Sequence, residues 1–565
     1  MDDVNYWSRR WPRRTVLRGV GLAGAGLAGA ALVGCGGDDD EPAATTEATA
    51  GSAGTGTGGE TTANIKTGGR LALAQNSEPP EFDMHHSSTT GTCFVTSMCY
   101  NQLLRFDPDI ADENPEAVIG DLAESWEISP DGQTYTFHLQ SGVKFHDGTP
   151  FTAADAKASY ERQIDPPETL INPPRSGQLQ IIASMDTPDD QTLVMNMARP
   201  VSSLSMLPIL AQGWMTIYSQ KDIEGGFDFK LNVNGTGPYL MTEYQQGAKV
   251  LHDKNPDYWV KDQPYLDGVD VFIVPDASTM LANFQGGQLH YYAPTLEALD
   301  QLQNTLGDKV TTGIGNSIGY DCLNYGNRDP WTDVRVRQAV SMAYDREAAI
   351  EILDFGHGMA SGYMQRWGYW ALSEEELHAI PGYAKYGPDT VAEARKLLDA
   401  AGVPDSMDGT ILVRQGFYED LCLFMQDQLS RVGINVKLDI QETASAYDLM
   451  SQRDFDLTPW GHGMALDDPD AIFAEFYLPG SPRNYSQISS PEIEDAYLTQ
   501  SQEQDPERRR ELVKELQQVA MALHGKSIFT TGEKRQTIWN FVKGFTPAHV
   551  SSYNAVRWQE TWLDL

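Results

Sequence analysis

Residues 411–440 read ILVRQGFYEDLCLFMQDQLSRVGINVKLDI, and the fold class turns on this stretch. Ile411-Leu412-Val413 is a short apolar run with the β-branched content of a buried strand. From Asp420 to Val432 apolar residues recur at helical spacing, and Gly433 stops the run. Ile434, Val436, Leu438 and Ile440 then alternate with Asn435, Lys437 and Asp439, the period of a half-buried strand. Strand, helix and strand in about thirty residues form a βαβ unit, which predicts a parallel pair with a right-handed crossover. The expected class is α/β.

Outward from this unit the same kinds of signal recur. Thr390-Val391-Ala392-Glu393 has the capping-box pattern, and its helix runs through Leu397 and Leu398 to a stop at Gly402. Val336, Ala339, Val340 and Ala343 follow Asp333 at helical spacing. Asp505-Pro506 reads as N-cap and first helical residue, with Leu512, Leu516, Val519 and Leu523 inward and Gly525 as the stop. Toward the N-terminus the period changes to two. Tyr135, Phe137 and Leu139 share one strand face after the Asp131-Gly132 turn, and Leu193, Met195 and Met197 share another. No fixed-period repeat is present.

Positive charge is concentrated at the start of the chain. Residues 1–34 hold five Arg and two Asp, and Gly19 to Gly34 is an uncharged run of Gly, Ala, Leu and Val. A basic segment followed by a short, weakly apolar one describes a signal peptide, too short for the roughly 20 residues of a membrane span. Arg13-Arg14-Thr15-Val16-Leu17-Arg18 is similar to the twin-arginine export motif, and Leu32-Val33-Gly34-Cys35 resembles a lipobox that would lipidate Cys35. From Gly36 to about Ile65 little can be buried, so residues 35–65 are expected to be a disordered tether reaching about 30 Å. Four other cysteines remain, Cys93, Cys99, Cys322 and Cys422, and an exported protein could pair them.

The 565 residues are 41% hydrophobic, enough for a sizeable core and about three or four structural units. Lys and Arg number 41 against 79 Asp and Glu, a net charge of −38 that becomes −41 without residues 1–34. Such a chain repels phosphate backbones, which argues against nucleic-acid binding. Chemistry-bearing motifs are near misses. Gly525-Lys526-Ser527 resembles the end of a P-loop, yet Ala520 stands at its first glycine. Gly24 to Gly29 matches GxGxxG inside the signal, where no strand precedes it. His85-His86 is adjacent rather than one turn apart, and Asp467, Asp468 and Asp470 lack the spacing of a calcium loop. HExxH is absent. No catalytic residue, metal site or cofactor is assigned.

Several segments in order resemble the extracytoplasmic solute-binding proteins of peptide-type ABC importers, family 5. They are Leu122-Ala123-Glu124-Ser125-Trp126, Gly142 to Ala153, Gly235-Thr236-Gly237-Pro238-Tyr239, Asn255-Pro256-Asp257-Tyr258-Trp259, Tyr265 to Val269 and Asp333 to Ala339. The resemblance spans roughly residues 66–565. It implies a periplasmic-binding-protein-like fold of the class II type, two lobes closing by a hinge on a cleft, with an added β-rich subdomain. The implied layout places lobe I at 66–105, 200–312 and 527–565, the β-rich subdomain at 106–199 and lobe II at 313–526. It further implies a monomer that is lipid-anchored to the outer face of the cytoplasmic membrane and passes a dipeptide or oligopeptide to an ABC permease. Most hallmark residues are expected to be structural. Trp126 and Trp259 should pack, and Arg335 and Arg337 should form ion pairs at a helix start.

Ligand contacts are expected elsewhere. The resemblance places the stretch from Trp460 to Pro469 along the cleft, where peptide-binding members carry an Asp for the ligand's α-amino group. Spacing puts Ala465 at that position, so Asp467 or Asp468 would have to substitute. A buried ammonium without a carboxylate would cost several kcal/mol. Trp367, Tyr369, Trp370 and Trp214 offer flat aromatic faces, Arg366 a guanidinium and His462 a polar contact. The aromatic set also suits an oligosaccharide or another small polar solute, the second reading. An exported hydrolase is the third.

Overall fold

Period-two alternation forms the strands where it was expected. The structure, a computed structural model, describes residues 65–108 and 117–565, except 169, 172, 317–318, 367, 417, 464–465, 482, 504 and 548–555. The signal peptide with Arg13 and Arg14, the lipobox with Cys35, the tether to residue 64, Trp367 and Ala465 lie outside the described residues.

The first lobe starts with β1 (Arg70–Gln75). The β-rich subdomain follows, from β2 (Ala123–Ile128), β3 (Thr134–Leu139), α1 (Ala153–Ile164) and α2 (Ser176–Leu179) to β4 (Ile182–Asp189) and β5 (Thr192–Met197). Its antiparallel sheet has the order β2-β3-β5-β4, with Tyr135 opposite Met195 and Phe137 opposite Leu193. All four are buried in one core with Met206 and Ile209 of α3 (Ser203–Ala211). The chain then returns to β1: β6 (Tyr239–Gln245), β7 (Lys249–Lys254) and β8 (Gly268–Ile273) complete a sheet of order β1-β8-β7-β6, β1 parallel to β8. The segment before β6 explains two glycines. A Cβ on Gly235 would stand 2.0 Å from the Cys99 carbonyl oxygen, and one on Gly237 would stand 2.4 Å from its carbon. Only glycine lets the two backbones approach this closely.

Two strand connections join the lobes. Beyond β9 (Tyr291–Tyr292), β10 (Val310–Asn316) leads into β11 (Gly319–Tyr325). The second lobe continues with α4 (Val334–Ala343), α5 (Thr390–Ala400), β12 (Met407–Arg414), α6 (Glu419–Arg431), β13 (Ile434–Gln441), α7 (Thr443–Gln452) and β14 (Leu457–Gly463). It ends with α8 (Pro469–Phe476), α9 (Pro491–Ser501), α10 (Pro506–Ala522) and β15 (Lys526–Ile528), and β16 (Glu533–Trp539) goes back to pair with β10. The second-lobe sheet has the order β13-β12-β14-β11-β15. Since β15 pairs with β11, the chain stays with this sheet through Ile528.

β12 and β13 are parallel over their whole length and α6 connects them, the βαβ unit read from residues 411–440. Val336, Ala339, Val340 and Ala343 are all buried, and Asp505 caps α10 by accepting from the Arg508 N–H at 2.8 Å. Two local expectations fail. The N-cap position of α5 falls on Asp389, whose side chain makes no capping hydrogen bond, and the Thr390 hydroxyl accepts from the Gly387 N–H instead of closing a capping box. Arg337 forms no ion pair at the start of α4; its guanidinium donates to the carbonyls of Trp331, Thr332, Leu523 and His524, tying two segments together. Arg335 pairs with Asp333 as expected. The four described cysteines are buried, Cys322 and Cys422 in separate cores on opposite faces of the sheet.

Candidate ligand cleft at the second-lobe switch point

Strand order places a crevice in the second lobe. From β12 the chain crosses through α6 to β13 on one side, then through α7 to β14 on the other. α6 packs in the core on one face and α7 in the core on the opposite face. Open α/β sheets bind ligands outside the carboxyl ends of the strands at such a reversal.

β12 and β14 pair in register at Ile411 and Leu457, and the Thr458 hydroxyl donates to the Leu412 carbonyl at 3.0 Å. The Gly461 N–H donates to the Tyr418 hydroxyl at 2.9 Å. A Cβ on Gly461 would lie 2.7 Å from that hydroxyl, so a larger residue would push the Tyr418 side chain aside. Tyr418 caps α6 with φ at +62°, a costly conformation for a bulky side chain that local packing must hold. Arg414, the last residue of β12, places its guanidinium 5.2, 5.7 and 5.9 Å from the rings of Trp460, Tyr418 and Tyr447. Across the Gly461 backbone, Asp321 is half-buried and its carboxyl is pushed up to about 7 by burial and by Asp354. Arg414, Tyr418, Tyr447 and Asp321 escaped the sequence reading, and the turn Gln415-Gly416 after a predicted strand was the only local signal for them.

The expected site residues divide sharply. Asp467 is half-buried and accepts from the Gln365 N–H at 3.1 Å. Burial foremost, and the charge of Asp468, push its carboxyl up to about 7 against the lowering effect of that N–H. A Cβ on Gly368 would sit 1.8 Å from its other oxygen, so the 365–368 turn is shaped around this carboxylate. Asp468 is held by its surroundings. It caps α8, accepts from the Ser205 hydroxyl at 2.6 Å and pairs with buried Arg509 at 3.2 Å.

The aromatic residues are mostly core. Trp460 is 4% exposed and meets Tyr447 edge-on at 4.9 Å. Trp370 is buried under the Arg509 guanidinium at 4.7 Å. Tyr369 is exposed but turned to α10, where it donates to Glu507 at 3.0 Å. Trp214 is fully buried in the first lobe with Arg175 stacked on its ring at 4.0 Å. Arg366 donates to the Leu372 carbonyl and lines a separate cavity of about 220 Å3 with Arg346 and Lys385. The His462 backbone pairs with Tyr320 in the β11–β14 ladder. Trp214 and Trp370 are therefore buried, whereas Asp467 is half-buried.

The lobes meet across α8. Leu466 and Ala471 enter the first-lobe core beside Met206 and Ile209, and α8 packs on α2 and α3. Residues 117–484 match the model of the bacterial extracellular solute-binding proteins, family 5 Middle. The chain belongs to that family. Among curated relatives of this family 5 protein is di/tripeptide-binding protein 1 of Pseudomonas aeruginosa UCBPP-PA14, 28% identical over 72% of this chain and 78% of the relative. The solved structure of the ABC transporter-associated periplasmic binding protein DppA of Helicobacter pylori, in complex with peptide STSA, has a TM-score of 0.78 at 22% identity, covering 88% and 99% of the two chains. AgaA from A. tumefaciens R10, solved with agropinic acid, has a TM-score of 0.77 at 25% identity over the same shares. The family 5 chain thus has the two-lobed fold of periplasmic binding proteins, its cleft lying between the lobes.

Proposed function

We propose that the protein captures a short peptide between its lobes and delivers it to an ABC importer. The observation that carries this reading is Asp467: a half-buried carboxylate held by the Gln365 N–H and approached closely by Gly368. It takes the ligand's α-amino group, the role that Ala465 cannot fill, and Arg414 within its aromatic surround receives a carboxylate. The di/tripeptide-binding relative and the peptide-bound neighbour support this class of ligand. A second reading, a small polar solute other than a peptide, draws support from the agropinic acid complex of AgaA and from Ala465.

Export and anchoring complete the proposal. Arg13-Arg14 directs twin-arginine translocation, and lipidated Cys35 holds a monomer on the outer face of the membrane, where tethering raises its effective concentration near the permease. Cys35→Ser should then move the protein from the membrane fraction to the soluble one. Unchanged membrane retention would refute the anchor.

The ligand class is tested by mass spectrometry of the gently purified protein after denaturation. A ladder of short peptides supports the peptide reading, and a single opine or sugar mass replaces it with the second. Calorimetry with trialanine then compares wild type and Asp467→Asn; equal affinity would remove Asp467 from the site.

A further inference from the structure

The closed interface between the lobes has an unusual division of labour. Glu475 of α8 accepts from second-lobe Arg483 and from first-lobe Gln178, the latter at 3.0 Å, and lies 3.8 Å from Arg175. Gln212 steadies the Gln178 amide at 2.9 Å. Asp468 pairs with Arg509 inside its own lobe and receives only the Ser205 hydroxyl from the other. Arg199 donates to the Ser501 hydroxyl at 2.8 Å. Every carboxylate here keeps a cation in its own lobe: Arg483 stays with Glu475, and Arg509 with Asp468. Arg175 likewise keeps the Trp214 ring and the Ser87 carbonyl. Each hydrogen bond that crosses the interface pairs one charged group with one neutral partner, Gln178, Ser205 or Ser501, and one ion pair crosses as well, Arg175 with Glu475 at 3.8 Å. Opening therefore leaves each carboxylate with a cation; Arg175 gives up Glu475 but keeps the Trp214 ring and the Ser87 carbonyl, which limits the cost of breaking that buried pair.

One contact sets the distance of closest approach. Gly177 of α2 has Ala474 of α8 as its near neighbour, and a Cβ there would stand 2.7 Å from the Ala474 carbonyl oxygen. All three nearest atoms belong to Ala474. The glycine serves contact between lobes rather than packing within its own.

We propose that this surface, Gly177 and Gln178 against Ala474 and Glu475, with Ser205 against Asp468, is a ligand-independent latch that populates the closed state and sets affinity without touching the ligand. A ligand that finds the competent state already populated binds with less of its energy spent on closure. The residues act through lobe position, so they are positioning residues. The functional consequence rests on the binding-protein reading, whereas the latch itself can be tested without any ligand.

The experiment uses the mature chain freed of bound solute by reversible denaturation. Dyes on cysteines placed at exposed Leu231 in the first lobe and exposed Leu423 in the second report lobe separation by single-molecule energy transfer. Wild type should show a closed population with no peptide added. Gln178→Ala should cut the closed-to-open ratio about ten- to a hundredfold, the range for one hydrogen bond to a charged group. Gly177→Ala should cut it more, yet leave the melting temperature equal or higher, because alanine is the better helix former in α2. A mere packing role would lower both together. Ser205→Ala provides an independent variant should Gly177→Ala fold poorly. A wild type wholly open without ligand, or variants with the wild-type distribution, would overturn the latch. Neither result depends on what the cleft binds.

Discussion

Peptide affinity should climb about tenfold per pH unit up to pH 7 and then level off, because Asp467 must be ionised to pair with an ammonium. In the free protein its carboxyl sits at about 7, raised foremost by burial. At pH 6 about one molecule in eleven is ionised there, so the observed association constant should be roughly tenfold below its plateau, and roughly thirtyfold at pH 5.5. The sign follows from the direction of the shift: the ammonium favours the charged form, so binding expels a proton and is favoured by higher pH. Above about pH 8 affinity should fall again as the free peptide loses its α-amino proton. The groups facing Asp467 leave this window clear. Tyr320 on β11 stays neutral, burial holding its hydroxyl well above the ordinary value, and Asp468 is compensated by Arg509 from α10. Buried His85 and His524 are pushed down to about 3 and stay uncharged. Asp321 and Lys526 are the other groups brought to about 7, which makes Asp467→Asn the necessary control. Calorimetry with trialanine in two buffers of different ionisation enthalpy should count about 0.9 proton released at pH 6. A dissociation constant flat from pH 5.5 to 7.5, or a slope that survives Asp467→Asn, would refute the reasoning.

Two further predictions concern stability. Asp468→Ala removes the main partner of a buried guanidinium and one cap of α8, and should cost about 3 kcal/mol; a denaturation midpoint equal to wild type would disprove that role. Gly237→Ala drives a methyl to 2.4 Å from the Cys99 carbonyl carbon and 2.6 Å from the Tyr100 nitrogen. Backbone cannot yield as a flexible side chain can, so a loss of about 3 kcal/mol or of soluble protein is expected, and a wild-type melting curve would contradict it.

Legibility followed the range of the interactions. The β12–α6–β13 unit, the alternation of β3 and β5 and the Asp505 cap were readable because each is decided by residues within about a dozen positions. The α5 cap was misplaced by one residue because Gly387 competes for the Thr390 hydroxyl. The site was far less legible. Trp214 and Trp370 looked like ligand faces until Arg175 and Arg509 covered them. Those guanidiniums come from 39 and 139 positions away, and no periodicity encodes such a meeting.

Local order, then, was determined by the sequence itself: which segments are strands or helices, the hallmark segments shared with the family, and the signals of an exported chain. Periodicity, caps and turn chemistry act over one or two turns, so they are written contiguously. The tertiary structure alone decided which partners two adjacent acids meet. Asp467 and Asp468 are neighbours of identical chemistry, yet one meets Arg509 and Ser205 and the other the Gln365 N–H beside Gly368. Burial and pairing are properties of what surrounds a side chain in space, and that is assembled from segments hundreds of residues apart.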